Sequence, residues 1–144
     1  MKICYRDLQN AASEILRHVG ENEENAQIAS EIMVVNDLRG VSTHGTNLLR
    51  MIAKRCEAKM LSLPSRVTVV SDNMATLILD GGDGLGQVAG YKAMNAAIEK
   101  ARLYGLGMAL IRNTNNVGSL GYYVHKTAMQ DMAAIMMTNG NPSM

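Results

Sequence analysis

The run Val67-Thr68-Val69-Val70-Ser71-Asp72-Asn73-Met74-Ala75-Thr76-Leu77-Ile78-Leu79 is where the reading of this chain turns. Val67 to Val70 and Ala75 to Leu79 are short, β-branched stretches, and the polar Ser71-Asp72-Asn73 between them predicts a hairpin turn. After Gly81-Gly82 the period changes to that of a long helix. Val88, Tyr91, Met94, Ile98 and Ala101 share one face, and Gly105 and Gly107 mark its end. Met108-Ala109-Leu110-Ile111 reads as a buried strand. A polar loop from Asn113 to Asn116 leads past Gly118 to a helix reaching about Gln130, and Ala133 to Met137 reads as a last strand.

Upstream of the hairpin everything reads as helix. Leu8, Ala12, Ile15, Leu16 and Val19 recur at helical spacing before Gly20. Asn22 is a fitting N-cap for a second helix, with Glu23 and Glu24 complementing its dipole and Ile28, Ala29, Ile32, Met33, Val35 and Leu38 forming its apolar face. Ser42 or Thr43 is positioned to cap a third helix carrying Leu48, Leu49, Ile52 and Cys56, which Pro64 ends. The fold class is therefore α/β. A helical N-terminal unit at residues 1–62 precedes a β-β-α-β-α-β unit at 63–144, its sheet covered by helices. The last strand ends almost at the terminus with nothing to cover it, so the sheet unit is expected to be incomplete.

Composition narrows the function classes. With 144 residues and 47% apolar side chains, a disordered or fibrous chain is excluded. Fourteen basic against thirteen acidic residues leave a net charge of +1, too little to release counterions from a phosphate backbone, so nucleic acid is not an expected partner. No apolar run approaches the roughly 18 residues a bilayer span needs, and the N-terminus turns polar at once; a cytoplasmic protein is expected. Cys4 and Cys56 suggest reduced thiols rather than a disulfide scaffold. Twelve Met with no Phe or Trp suggest a plastic core or a surface that buries against something else.

Two segments invite a chemical reading. Gly84-Leu85-Gly86-Gln87-Val88-Ala89 fits G-x-G-x-x-[G/A] between a strand and a helix, where bare backbone lets a pyrophosphate approach a helix N-terminus. No acid ends the next strand to grip a ribose, and a tight turn that needs close packing explains the same glycines. His44 lies in a turn of small residues between two apolar helices. At a helix start, free N–H groups welcome an anionic substrate group, and an imidazole beside them can exchange a proton with it. His18, at a helix C-terminus, and His125, beside Lys126, carry no such context. No histidine or cysteine pair has metal-ligand spacing, so no metal is expected.

Asp37-Leu38-Arg39-Gly40-Val41-Ser42-Thr43-His44-Gly45 resembles the D-x-R-G-[small]-x-S-H-G signature of the malate/L-lactate dehydrogenase family of the non-Rossmann type. The likeness continues in order through Asp80-Gly81, Gly84 to Gln87, Ala97 to Ala101, Gly105 to Gly107, Arg112 to Asn115, Gly118, Gly121-Tyr122-Tyr123 and Thr138-Asn139 with Pro142. It covers nearly the whole chain.

The resemblance implies a reversible hydride transfer between NAD or NADP and the C2 carbon of a small 2-hydroxy/2-oxo acid, in a homodimer. It implies that His44 carries the proton, that Thr43, where the family has Ser, orients the imidazole, and that Thr138, Asn139 and Gly140 contact the cofactor at the end of a strand. It also marks departures. Many members carry Arg four residues after the signature His, gripping the substrate carboxylate; here Leu48 stands there. Arg50 is the nearest cation, though two residues further on is about 200° around a helix; the helix start itself is the other candidate carboxylate holder. Where many members have a second His, this chain has Asn116, which orients a carbonyl but carries no proton at neutral pH. The family's sequence runs well beyond Pro142. Two function classes follow: the N-terminal portion of such an oxidoreductase, or a truncated, non-catalytic relative serving as a binding or dimerisation module.

Overall fold

The computed structural model describes residues 3–139. The chain order is α1 (Tyr5–His18), α2 (Glu23–Leu38), a single 3-10 turn (Ser42–His44), α3 (Leu48–Glu57), β1 (Thr68–Asn73), β2 (Thr76–Asp80), α4 (Gly86–Tyr104), β3 (Met108–Arg112) and α5 (Leu120–Ala128). The α/β class and the helical start followed by a sheet unit stand as the sequence suggests, but a helix covers only one face of the sheet.

Helix α2 is the axis of the molecule. Asn22 caps it by accepting from the Asn25 N–H at 2.9 Å, the bond its residue type and position predict. Ala26, Ala29, Ile32 and Met33 are fully buried along it. Leu16 of α1 and Leu48 and Ile52 of α3 meet Met33 in one core, and Leu85 and Val88, from the start of α4, complete it. Segments on both sides of residue 62 thus share a single apolar cluster. A second cluster joins Ile32 to Val117, Tyr122 and Tyr123.

At the corner between α1 and α2 the buried Glu21 carboxylate accepts from the N–H and hydroxyl of Ser65, the Asn22 N–H and the Asn25 amide. The Ser65 hydroxyl in turn accepts from the Leu85 N–H at 2.8 Å. This chain of bonds ties the helical start of the protein to the glycine-rich turn before α4.

The sheet has the order β1-β2-β3. β1 and β2 are antiparallel, and β3 lies parallel to β2, joined to it by the α4 crossover. α4 covers the face carrying Leu77 and Leu79. Among the described residues nothing covers the opposite face, and Ile78, Met108 and Leu110 are exposed there. β3 is therefore half-exposed rather than buried: only one side of the sheet has a helix on it.

Two expectations are corrected. The hairpin turns at Met74-Ala75, not at Ser71-Asp72-Asn73, which continue β1 after a bulge near Val70. β1 is an edge strand with solvent on its far side, so polar residues are tolerated there. The Lys100 ammonium holds the Asp72 carboxylate and the Met74 carbonyl in place. The second correction concerns Ala133 to Met137, which form no strand. A strand exists only through a neighbouring ladder, and β3 pairs with β2 alone. Met136 instead turns inward onto the Tyr122–Tyr123 cluster, while Ile135 and Met137 face out. The Thr138-Asn139-Gly140 segment accordingly does not end a strand, and Gly140 lies outside the described residues.

Candidate active site around His44

The segment that carries His44 is built by the last turn of α2. Arg39 closes the helix, Gly40 reverses the chain at φ +75°, and the Val41 N–H returns to the Asn36 carbonyl. The 3-10 turn follows. The Asn36 side chain, fully buried, donates from Nδ2 to the His44 carbonyl at 3.0 Å. Next to it the Asp37 carboxylate accepts from the Thr46 N–H at 2.9 Å and the Thr46 hydroxyl at 2.7 Å. Gly45 lies so close to this carboxylate that a β-carbon there would sit 1.8 Å from Asp37 Oδ1. Arg39, finally, donates to the Gly121 carbonyl at 3.2 Å.

This geometry corrects one reading of the turn. Neither Ser42 nor Thr43 caps α3, which begins only at Leu48, after Asn47, and with no side-chain cap. The Asp37 carboxylate is bonded to Thr46, two residues ahead of Leu48, so its negative charge lies on the N-terminal side of α3.

His44 and Thr43 do come together. Thr43 Oγ1 lies 3.0 Å from His44 Nδ1. The imidazole is half-buried, and Nε2 has no hydrogen-bond partner among the described residues. A hydroxyl on Nδ1 fixes ring orientation and leaves Nε2 for chemistry.

Asn116 is set by a different turn. Its Oδ1 accepts from the Gly118 N–H at 2.7 Å, which leaves the amide Nδ2 as the outward donor. Gly118, at φ +80°, packs on α2: a β-carbon there would lie 3.7 Å from both Asn36 Nδ2 and Ile32. The Asn116 loop and the His44 turn therefore rest on the same residue, Asn36. Sequence reasoning missed it and Asp37 as individuals, although one signal was present: Asn36 stands four residues after Ile32, a polar side chain on the buried stripe of α2.

Arg50 is exposed on α3. It lines an open groove of about 370 Å³ with Asn47, Met51, Lys54, Arg55 and Met60. His44 is not part of that wall. Arg55 also reaches the Asn115 side chain at 3.1 Å, which connects the groove to the loop carrying Asn116. Thr138 and Asn139 are exposed.

The glycine-rich turn before α4 is tightly packed. A β-carbon on Gly86 would lie 2.2 Å from the Asn115 carbonyl oxygen and 2.4 Å from that of Asn116. Carbonyl oxygens press on Gly86 and the Ser65 side chain on Gly84, so close packing accounts for both glycines. Asp80, at the end of β2, holds the same turn. The Gly82 N–H, and then the Arg112 and Asn113 side chains, keep its carboxyl below the usual range. Burial pushes the phenols of Tyr122 and Tyr123 upward, Tyr122 with the help of Glu31 beside it. Among the described residues no three His, Cys, Asp or Glu side chains gather to hold a metal ion, and no helix is long and apolar enough to cross a membrane.

Comparison with known proteins places this arrangement. The sequence profile of the family described as malate/L-lactate dehydrogenase matches residues 3–144. The malate dehydrogenase of Pyrococcus abyssi is 38% identical over 128 residues, covering 89% of this chain and 35% of its own. The L-sulfolactate dehydrogenase of Methanocaldococcus jannaschii is 36% identical over 131 residues, covering 91% and 38%. In three dimensions the malate dehydrogenase of Pyrococcus horikoshii superposes with a TM-score of 0.86 at 32% identity, over 90% of this chain and 37% of its own. The chain spans little more than a third of the length of these relatives.

Proposed function

This chain belongs to the malate/L-lactate dehydrogenase family, and from that premise we propose that it supplies the proton-transferring part of an NAD- or NADP-dependent oxidoreductase acting on a small 2-hydroxy/2-oxo acid. The observation that carries the reading is the Thr43–His44 contact of 3.0 Å on a turn anchored by α2. Thr43 orients the ring through Nδ1, and Nε2 gives a proton to the carbonyl oxygen in reduction or takes the hydroxyl proton in oxidation. Asn116 points its amide donor outward, the polarity needed to orient a carbonyl oxygen, because Gly118 already occupies its acceptor. Arg50, at the rim of the α3 groove, is the proposed partner of the substrate carboxylate.

The nicotinamide, when bound, supplies or receives the hydride at C2. The exposed side chains of Thr138 and Asn139 fit contacts to such a cofactor, with Gly140 following them, and the glycines of the Gly84–Gly86 turn are accounted for by close packing. In this reading residues 1–62 carry the proton-transfer turn and 63–144 begin the cofactor-binding domain. A cytoplasmic homodimer is the proposed setting, and the bare sheet face with Ile78, Met108 and Leu110 supports an assembly that covers it.

The test is oxidation of NADH and NADPH by the intact protein across a panel of small 2-oxo acids, with His44→Ala alongside. Turnover should fall about 10²-fold or more in the variant. Undiminished turnover removes His44 from its role. One observation favours a second reading, a non-catalytic binding or dimerisation module: Leu48, standing where many members place the carboxylate-binding Arg, is buried in the core. No turnover with any 2-oxo acid would select that reading.

A further inference from the structure

Asn36 has three properties that do not ordinarily coincide in a helical asparagine. It is completely buried, it stands on the apolar stripe of α2, and only half of its amide is used. Nδ2 donates to the His44 carbonyl, while Oδ1 has neither solvent nor a partner. A buried acceptor left unpaired opposes folding, and an apolar residue at this place on the stripe would avoid that cost. What the asparagine provides instead is contact with two turns at once. Its donor holds the carbonyl of the residue bearing the imidazole, and Gly118, whose N–H fixes the Asn116 side chain, faces the same nitrogen, a β-carbon there reaching to 3.7 Å of it. The main chain adds to this: the N–H groups of Arg39 and Val41 both bond to the Asn36 carbonyl at the start of the reversal toward His44.

We propose that Asn36 is a positioning residue that holds the turn bearing His44 and the loop bearing Asn116 to one buried amide. It acts through other residues and touches no substrate. The assignment of a task to that juxtaposition rests on the proposed reductase function, but the mechanical coupling does not.

The test uses Asn36→Leu, which keeps the side chain's bulk on the α2 stripe and removes the donor. Ring nitrogen and carbon signals of His44, read by NMR in the folded chain, report its tautomer, with His18 and His125 in the same spectra as internal references. In the wild type the Thr43 contact should hold one tautomer in large excess. In Asn36→Leu the His44 signals should move toward the mixed tautomer of an unrestrained ring, the Asn116 and Gly118 amides should shift with them, and His18 and His125 should stay where they are. Ile32→Val, a loss of packing at the neighbouring contact with Gly118, should leave the His44 ring signals unchanged. His44 signals identical in Asn36→Leu and wild type overturn the proposal.

Should Asn36→Leu fail to fold, the wild-type protein still decides. The Asn36 amide protons should be protected from exchange and show cross-relaxation to both His44 and Gly118, and absence of either contact overturns the proposal. Turnover separates this inference from the functional reading. Coupled ring signals in a protein with no reductase activity leave the positioning intact and dismiss the function; activity with uncoupled signals does the reverse.

Discussion

The carboxylate of Asp37 sits at the start of α3, bonded to the N–H and hydroxyl of Thr46 at 2.9 and 2.7 Å. It thereby ties the end of one helix to the beginning of the next across the turn that bears His44. A β-carbon on Gly45 would overlap it at 1.8 Å. The acid and the glycine of the signature are thus two halves of one packing arrangement, and the imidazole rides on it.

That arrangement can be measured as a coupling. Gly45→Ala is expected to destabilise the protein by about 2 kcal/mol through overpacking. Asp37→Ala is expected to cost about 1 kcal/mol through the lost bonds to Thr46. In the double variant the alanine at 45 no longer meets a carboxylate, so urea denaturation should give a coupling of at least ~0.5 kcal/mol. Strict additivity would mean that the two residues do not share this space.

Thr43 stands where the family has Ser, and its hydroxyl is what touches Nδ1 of His44. Thr43→Ser should leave turnover of the intact protein within about twofold, since the hydroxyl remains to accept from Nδ1, whereas the isosteric Thr43→Val should lower kcat about tenfold with KM little changed, in keeping with the loss of one hydrogen bond. Steady-state kinetics on the best 2-oxo acid reads both. Equal kcat in Val and wild type would remove the hydroxyl from any role in orienting the ring.

Glu21 is buried with its donors from Ser65, Asn22 and Asn25 and forms no ion pair among the described residues. Glu21→Ala would leave those donors unpaired and should cost about 3 kcal/mol in urea denaturation, with Glu21→Gln costing less because one oxygen remains to accept. A loss below about 1 kcal/mol for the alanine variant would show that water replaces the carboxylate without penalty.

Asp80 predicts the direction of acid destabilisation. The Gly82 N–H, Arg112 and Asn113 hold its folded-state carboxyl below the ordinary value of 3.8. The unfolded chain then binds the proton more readily, so the contribution of Asp80 is present above that value and is lost as pH falls below it toward the folded-state value. Thermal melts of Asp80→Asn should therefore show a shallower loss of Tm than wild type as pH is lowered through this window. Parallel curves would mean that the carboxylate is not held by these donors in solution.

Much of this molecule was legible locally. Asn22 caps α2 as a short polar side chain with two acids after it should, Gly105 ends α4 at φ +78° where only glycine is unstrained, and the run from Val67 to Leu79 does form a hairpin. The pairing of Thr43 with His44 was an implication of the family resemblance, and the two side chains do meet at 3.0 Å. The misplaced turn at Ser71 to Asn73 has a clear origin. Polar residues signal a turn only if the strand they interrupt is flanked on both sides, and β1 is an edge.

What the sequence alone determined is what residues within a turn or two of each other decide: helical and strand periods, caps, the α/β order, and a signature that identifies the family. The tertiary structure decided everything that depends on a distant partner. It set Asp37 on Thr46 ahead of α3, packed Gly86 against the carbonyls of Asn115 and Asn116, and left Ala133 to Met137 without a ladder. It also placed Asn36 beneath both His44 and Gly118. The physical reason is the same in each case. A backbone period is a short-range property, whereas buried polar groups and strand edges are satisfied only by whatever the fold brings to them.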